Sequence, residues 1–119
     1  MPQFMMMITT REDIGDPPPE LYAAMDKYIA EVVASGRLVT MGGLLPSAQG
    51  VRVSGSNGQV VTTHGPFAET TELIGGYAIV EAESLDEAVA GATEFIQLHL
   101  DHWPGFEGTS EVRQVMEQG

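Results

Sequence analysis

Gly76-Tyr77-Ala78-Ile79-Val80-Glu81, followed at once by Ala82-Glu83-Ser84-Leu85-Asp86-Glu87-Ala88 and on to Phe95-Ile96, is the stretch whose reading decides the fold. Its first six residues carry Tyr77, Ile79 and Val80 in a short run bounded by glycine, which reads as a strand. Ser84 with Glu87 three residues later is a capping box, the signature of a helix start. Leu85, Ala88, Val89, Ala92, Phe95 and Ile96 then recur at helical spacing, so one face of that helix is apolar. A last run, Gly108–Met116, alternates polar and apolar through Ser110-Glu111-Val112-Arg113-Gln114-Val115 and reads as a strand. The second half of the chain is therefore a β-α-β unit.

The first half repeats the pattern. Gln3–Thr9 is apolar and strand-like. Arg11–Pro19 is a loop, broken by Gly15 and three prolines, in which Asp16 is placed to cap a helix with Pro17 in its first turn. Leu21, Met25, Tyr28, Ile29, Val32 and Val33 follow at helical spacing, and Gly36 stops that helix. Arg37–Leu45 is a second strand, with Gly42-Gly43 marking a bulge or a close backbone approach. Val51–Ser54 and Gln59–Thr63 form a hairpin around Gly55-Ser56-Asn57-Gly58, and His64–Gly75 is a loop. The expected fold is a single α+β domain over residues 1–119, a ferredoxin-like βαββαβ sandwich with an extra β-hairpin and an antiparallel sheet. Two helices can cover only one face of that sheet, while Met5–Ile8 and Gly76–Val80 are apolar on both sides. A second copy of the sheet is the simplest cover, so a homodimer is expected.

Composition excludes several function classes. The chain has 119 residues, enough for one domain. It has no cysteine, which removes disulfides, thiolate nucleophiles and cysteine-held metals and is compatible with a cytoplasmic location. The formal net charge is −12, which repels polyphosphates, so no nucleic-acid partner is expected. The apolar N-terminus lacks a basic region and a small-residue cleavage site, and no run reaches the ~20 apolar residues of a membrane span. No phosphate-binding glycine loop or other cofactor motif is present.

The residues His64-Gly65-Pro66-Phe67-Ala68-Glu69-Thr70-Thr71-Glu72-Leu73-Ile74-Gly75-Gly76-Tyr77 resemble the DGPF motif of YCII-related proteins. Glu83–Ala88, Glu111-Val112-Arg113 and the strand Val51-Arg52-Val53 are similar to that family as well, so the resemblance runs from Phe4 to Val115. It implies a ferredoxin-like fold and a dimer of α/β-barrel type. The chain departs from the family pattern at His64, where most relatives have Asp, and at Thr71, often Lys. It departs again over His99–Gly108. The first helix holds no histidine, so the His–Asp dyad proposed for shorter relatives has no counterpart here.

Within the motif, Gly65-Pro66 makes a stiff turn and Phe67 anchors it, holding His64 and Glu69 at defined positions. His64 titrates near neutrality and is the candidate general acid or base, with Glu69 to orient it. The alternative is that the loop only seals the end of the sheet. Arg11, Arg52 and Arg113 are candidates for holding an acidic ligand, although in so acidic a protein each can equally answer an internal carboxylate. Phe67, Tyr28 and Tyr77 are candidate ligand contacts. His99-Leu100-Asp101-His102 has the outline of a metal site but lacks a separate third ligand, so no metal is assigned. The expected function is small-molecule binding, with cofactor-independent proton-transfer chemistry of the isomerase or lyase kind on an apolar or aromatic compound. The alternative is a non-catalytic ligand-binding or transcription-linked accessory protein, since the family it resembles is associated with sigma factors.

Overall fold

In the computed structural model, residues 1–67 and 73–117 are described. Strands β1 (Gln3–Thr10), β2 (Leu38–Gly43), β5 (Leu73–Glu81) and β6 (Gly108–Gln114) form one sheet in the order β2-β5-β1-β6. Every neighbouring pair is antiparallel. With helices α1 (Pro19–Ala34) and α2 (Leu85–His102) as the two crossovers, this is the ferredoxin-like arrangement read from the sequence. Strands β3 (Val51–Ser56) and β4 (Gln59–His64) pair only with each other, and both are exposed along their whole length. The extra hairpin is an arm and not an extension of the sheet.

Alternation in β1 sets the core. Phe4 and Met6 face the helices and pack with Ala82, Ala88 and Ala92, with Val80 and Val112 at the margin. Ala88 and Ala92 lie one turn apart on α2, and their small side chains let that helix sit down on β1 and β6. Helix α1 rests mainly on α2 and touches the sheet little. Of its stripe only Leu21 is buried, while Met25, Tyr28, Ile29 and Val32 are half-buried.

Local expectations hold with adjustments that have physical causes. The first helix starts at Pro19, not behind Asp16; Pro18 occupies the cap position in an extended conformation with no side-chain cap. A residue preceding proline is pushed out of the helical region, so only the last of three consecutive prolines can open the helix. At α2 the Ser84 hydroxyl accepts from the Glu87 backbone N–H at 3.1 Å, as the capping box predicts. The Glu87 carboxylate does not complete the box; it pairs with Arg37. Strand β2 is shorter than Arg37–Leu45, and its irregularity falls between Leu38 and Thr40. Gly42 supplies the close approach: a methyl there would meet the Tyr77 ring at 2.9 Å. The hairpin strands run further than expected, and only Asn57 and Gly58, with φ of 52° and 74°, make the turn.

The motif loop is anchored at its glycine. The Gly65 N–H donates to the Gly50 carbonyl at 2.9 Å, and a Cβ at Gly65 would overlap the Ser47 carbonyl oxygen. Ser47 is buried, and its N–H and Oγ both donate to the Glu12 carboxylate, at 2.7 and 2.6 Å. Replacing Gly65 with Ala must displace this backbone contact and should cost about 1–3 kcal/mol. Gly43→Ala meets open space and should stay within about 0.5 kcal/mol of wild type. Urea unfolding of the two variants side by side checks the difference.

Candidate functional site

Because α2 sits on the sheet and α1 does not, a cavity of about 590 Å³ opens between α1, α2 and the inner face of the sheet. That is the size of a small-molecule site. Its walls are mainly apolar, from Met6 and Ile8 on β1, Met25 and Ile29 on α1, Met41 on β2 and Ala92 on α2.

One polar side chain is set deep in this wall. His99, in the last turns of α2, is buried, with 7% of its surface exposed. Its Nδ1 lies 2.8 Å from the Phe95 carbonyl oxygen. A carbonyl can only accept, so Nδ1 carries the proton and Nε2 presents a bare lone pair in the neutral ring. Among the described residues Nε2 has no hydrogen-bond partner, yet none of their buried side-chain polar atoms is sealed off without one. Nε2 therefore keeps some accessible surface, and His99 lines the cavity. Burial holds the imidazole pKa below its ordinary value of 6.5, and the bond to Phe95 only partly offsets that. The result is a neutral, oriented proton acceptor at an apolar wall.

Aromatic rings surround it. Phe95 and Phe106 lie 4.6 and 4.9 Å from the His99 ring, centroid to centroid. Tyr28 stands 5.8 Å from Phe95, and Trp103 stands 5.6 Å from Phe106. The Tyr28 hydroxyl donates to the Gly91 carbonyl at 3.1 Å. Its pKa is raised, first by burial and then by the negative charges of Glu94 and Glu31, so it stays a phenol.

Of the residues singled out from sequence, Tyr28 and Tyr77 border this cavity. Tyr77 pairs with Met7 and Gly42, which sets its side chain on the outer face of the sheet. Arg52 and Phe67 meet elsewhere, in a more open depression at the base of the arm, with the guanidinium carbon 3.9 Å from the ring centroid. Arg11 lies outside both, held by Asp13 at 2.8 Å and by Glu107 at 3.4 Å. Arg113 is exposed on β6 and lies 3.8 Å from Glu111. His64 is the exposed last residue of β4 and lines neither cavity. Glu69 falls outside the described residues. In the His99–His102 segment the helix continues to its end; His102 is exposed and Asp101 accepts from Gln97 at 2.8 Å.

The sequence carries a signal for His99 as well. Ala88, Ala92, Phe95 and His99 continue a single helical stripe, which carries the histidine to the buried face.

The YCII-related domain family matches over residues 2–97. The chain belongs to that family. This YCII-related chain is also 34% identical over 70 residues to an uncharacterized protein of Rhizobium meliloti (strain 1021), a match covering 59% of the chain and 53% of that relative. It thus spans about half the length of the curated relative. Among solved structures it is similar to 5-chloro-2-hydroxyhydroquinone dehydrochlorinase from Burkholderia phenoliruptrix AC1100, in complex with 2,5-dihydroxybenzoquinone. The identity there is 19%, covering 96% of this chain and 95% of the other, with a TM-score of 0.41. A likeness at that level says nothing about the chemistry of this chain.

The lowered pKa of His99 has a consequence for stability. The folded state binds its proton less readily than the unfolded chain, so the stabilising contribution is complete above pH 6.5 and is lost as the pH falls through the lower, folded value. Unfolding free energies of wild type and His99→Gln should therefore converge as the pH drops from 8 to 5. The surrounding carboxylates titrate in both proteins and drop out of the comparison. A gap that stays constant with pH would show that His99 is not held neutral.

Proposed function

We propose that the cavity between the helices and the sheet binds a small, mainly apolar compound, and that His99 takes a proton from it without the help of a cofactor. The observation that carries this reading is a buried, neutral imidazole in the wall of an apolar space of about 590 Å³, with Nδ1 committed to Phe95 and Nε2 unpartnered among the described residues. A base poised in such a site suits isomerisation or elimination, in which one proton leaves carbon or oxygen. Tyr28, fixed on Gly91, shapes the wall beside it. Membership in the YCII-related family agrees with a small-molecule role.

Trp103 is the single tryptophan and borders the cavity, so its fluorescence reports occupancy. A panel of small aromatic compounds should give saturable quenching in wild type. Gly91→Leu should lose it while remaining folded, because a side chain at Gly91 enters open space. Solvent deuterium should exchange into a bound compound, and the exchange should fall at least about a hundredfold in His99→Gln. Persistence of exchange in that variant with its loss in His64→Ala would move the proton transfer to the motif loop. Saturable binding with no exchange in any protein would favour the non-catalytic, ligand-binding role.

In the same reading the protein works as a homodimer. The outer face of the sheet carries Met5, Met7, Tyr77 and Ile79, with no element of the described chain over it. Glu111 and Arg113 border that face opposite Met7 and Met5, and a two-fold axis would let each answer the other in a second copy. The net charge of −12 opposes association, so the apolar area must drive it. Light scattering at micromolar concentration should give twice 12.7 kDa. Added salt should tighten the dimer, and Ile79→Asp should break it. A monomer under all conditions would overturn the assembly.

A further inference from the structure

We infer that the ligand this cavity selects is an organic cation, an apolar or aromatic body carrying a protonated amine. The inference rests on the ligand-binding reading above and adds the charge class, on three separate observations.

The first is charge. The carboxylate residues Glu12, Asp16, Glu87 and Glu94 border the cavity, and among the described residues Arg37 is the single Lys or Arg that does. Arg37 is already paired with Glu87 and approaches Glu83 at 4.0 Å. Arg11 is tied to Asp13 and Glu107 outside the cavity. A carboxylate or phosphate ligand would thus meet a negative field with no cation to receive it, whereas Asp16 and Glu94 have no ion-pair partner among the described residues.

The second is the acceptor. His99 stands in the cavity wall more than nine-tenths buried, its Nδ1 proton is committed to Phe95, and its Nε2 is unpartnered among the described residues and not sealed off. Such an atom favours a ligand that brings an N–H donor to it, and an ammonium brings three. A carboxylate, having no proton to donate, would set lone pair against lone pair.

The third is the wall around that acceptor. Tyr28, Phe95, Phe106 and Trp103 all border the cavity in a connected series on either side of His99. Aromatic faces attract an ammonium through the ring quadrupole, most of all where water is displaced. Charge, acceptor and rings each favour the same ligand class.

Three probes of similar size test it at pH 7.5 by Trp103 fluorescence: benzylamine, benzyl alcohol and benzoate. Benzylamine should bind roughly tenfold more tightly than benzyl alcohol, and benzoate should not saturate. In the double variant Asp16→Asn, Glu94→Gln the benzylamine advantage should shrink about threefold while benzyl alcohol binding stays as in wild type. Benzyl alcohol binding as well as benzylamine, or benzoate binding best, overturns the cation inference and leaves the ligand cavity standing. If none of the three saturates, or if quenching persists in Gly91→Leu, the ligand-cavity reading fails and takes this inference with it.

Discussion

The close seating of one helix and the standing-off of the other is the constraint on which the rest depends. Ala88 and Ala92 present almost no side chain to the sheet, so α2 settles directly over Phe4 and Met6. Helix α1 has no such pair of small residues at its contact. Its stripe is built from Met25, Tyr28, Ile29 and Val32, and it leans on α2 rather than on the strands. The sheet beneath it therefore stays uncovered on its inner face. An interior of this kind would normally close to crystal-like density. Here the volume is left open, and the residues that would have been core under α1 become the walls of a site.

That arrangement explains which parts of the molecule were legible in the sequence. Strand alternation in β1 and the helical stripes identified every element of the main sheet and both helices, because each of those elements buries one face and the burial imposes a period. The Ser84 cap was readable because the hydroxyl needs only local geometry. Asp16 does not cap the helix because the steric effect of three consecutive prolines overrides the local capping preference. Glu87 left its capping role because Arg37, far away in sequence, offered a charged partner. Such tertiary competition leaves no local trace.

The site was less legible than the fold for the same reason. Histidine in a glycine-proline motif draws attention, and His64 duly drew it, yet exposure and pairing depend on where the arm points. The structure places His64 at the exposed end of β4. In the sequence His99 stands only within a metal-like His-Leu-Asp-His outline, whereas α2 runs on through His102 and delivers it to the interior. What the motif does show is tight backbone contact: Gly65 lies against Ser47, and Ser47 fixes the Glu12 carboxylate at the cavity border. The loop thus packs on one buried serine that holds the cavity border by two hydrogen bonds, which gives the landmark a structural reason to accompany this cavity.

The acidity of the chain gains meaning from the same geometry. Spread evenly, a charge of −12 would serve solubility and little else. It is not spread evenly with respect to the cavity, whose border gathers four carboxylates against one guanidinium that is itself paired. A nearby cation would lower the imidazole pKa further and weaken it as a base, and the described border supplies none that is free. It supplies negative charge, which favours protonation of any amine brought into the pocket and disfavours its release to water as the neutral form. Burial of His99 acts in the opposite sense on the imidazole and keeps it unprotonated. A neutral acceptor enclosed by aromatic rings, beneath a negative rim, forms a gradient along which a positive group is drawn inward toward Nε2.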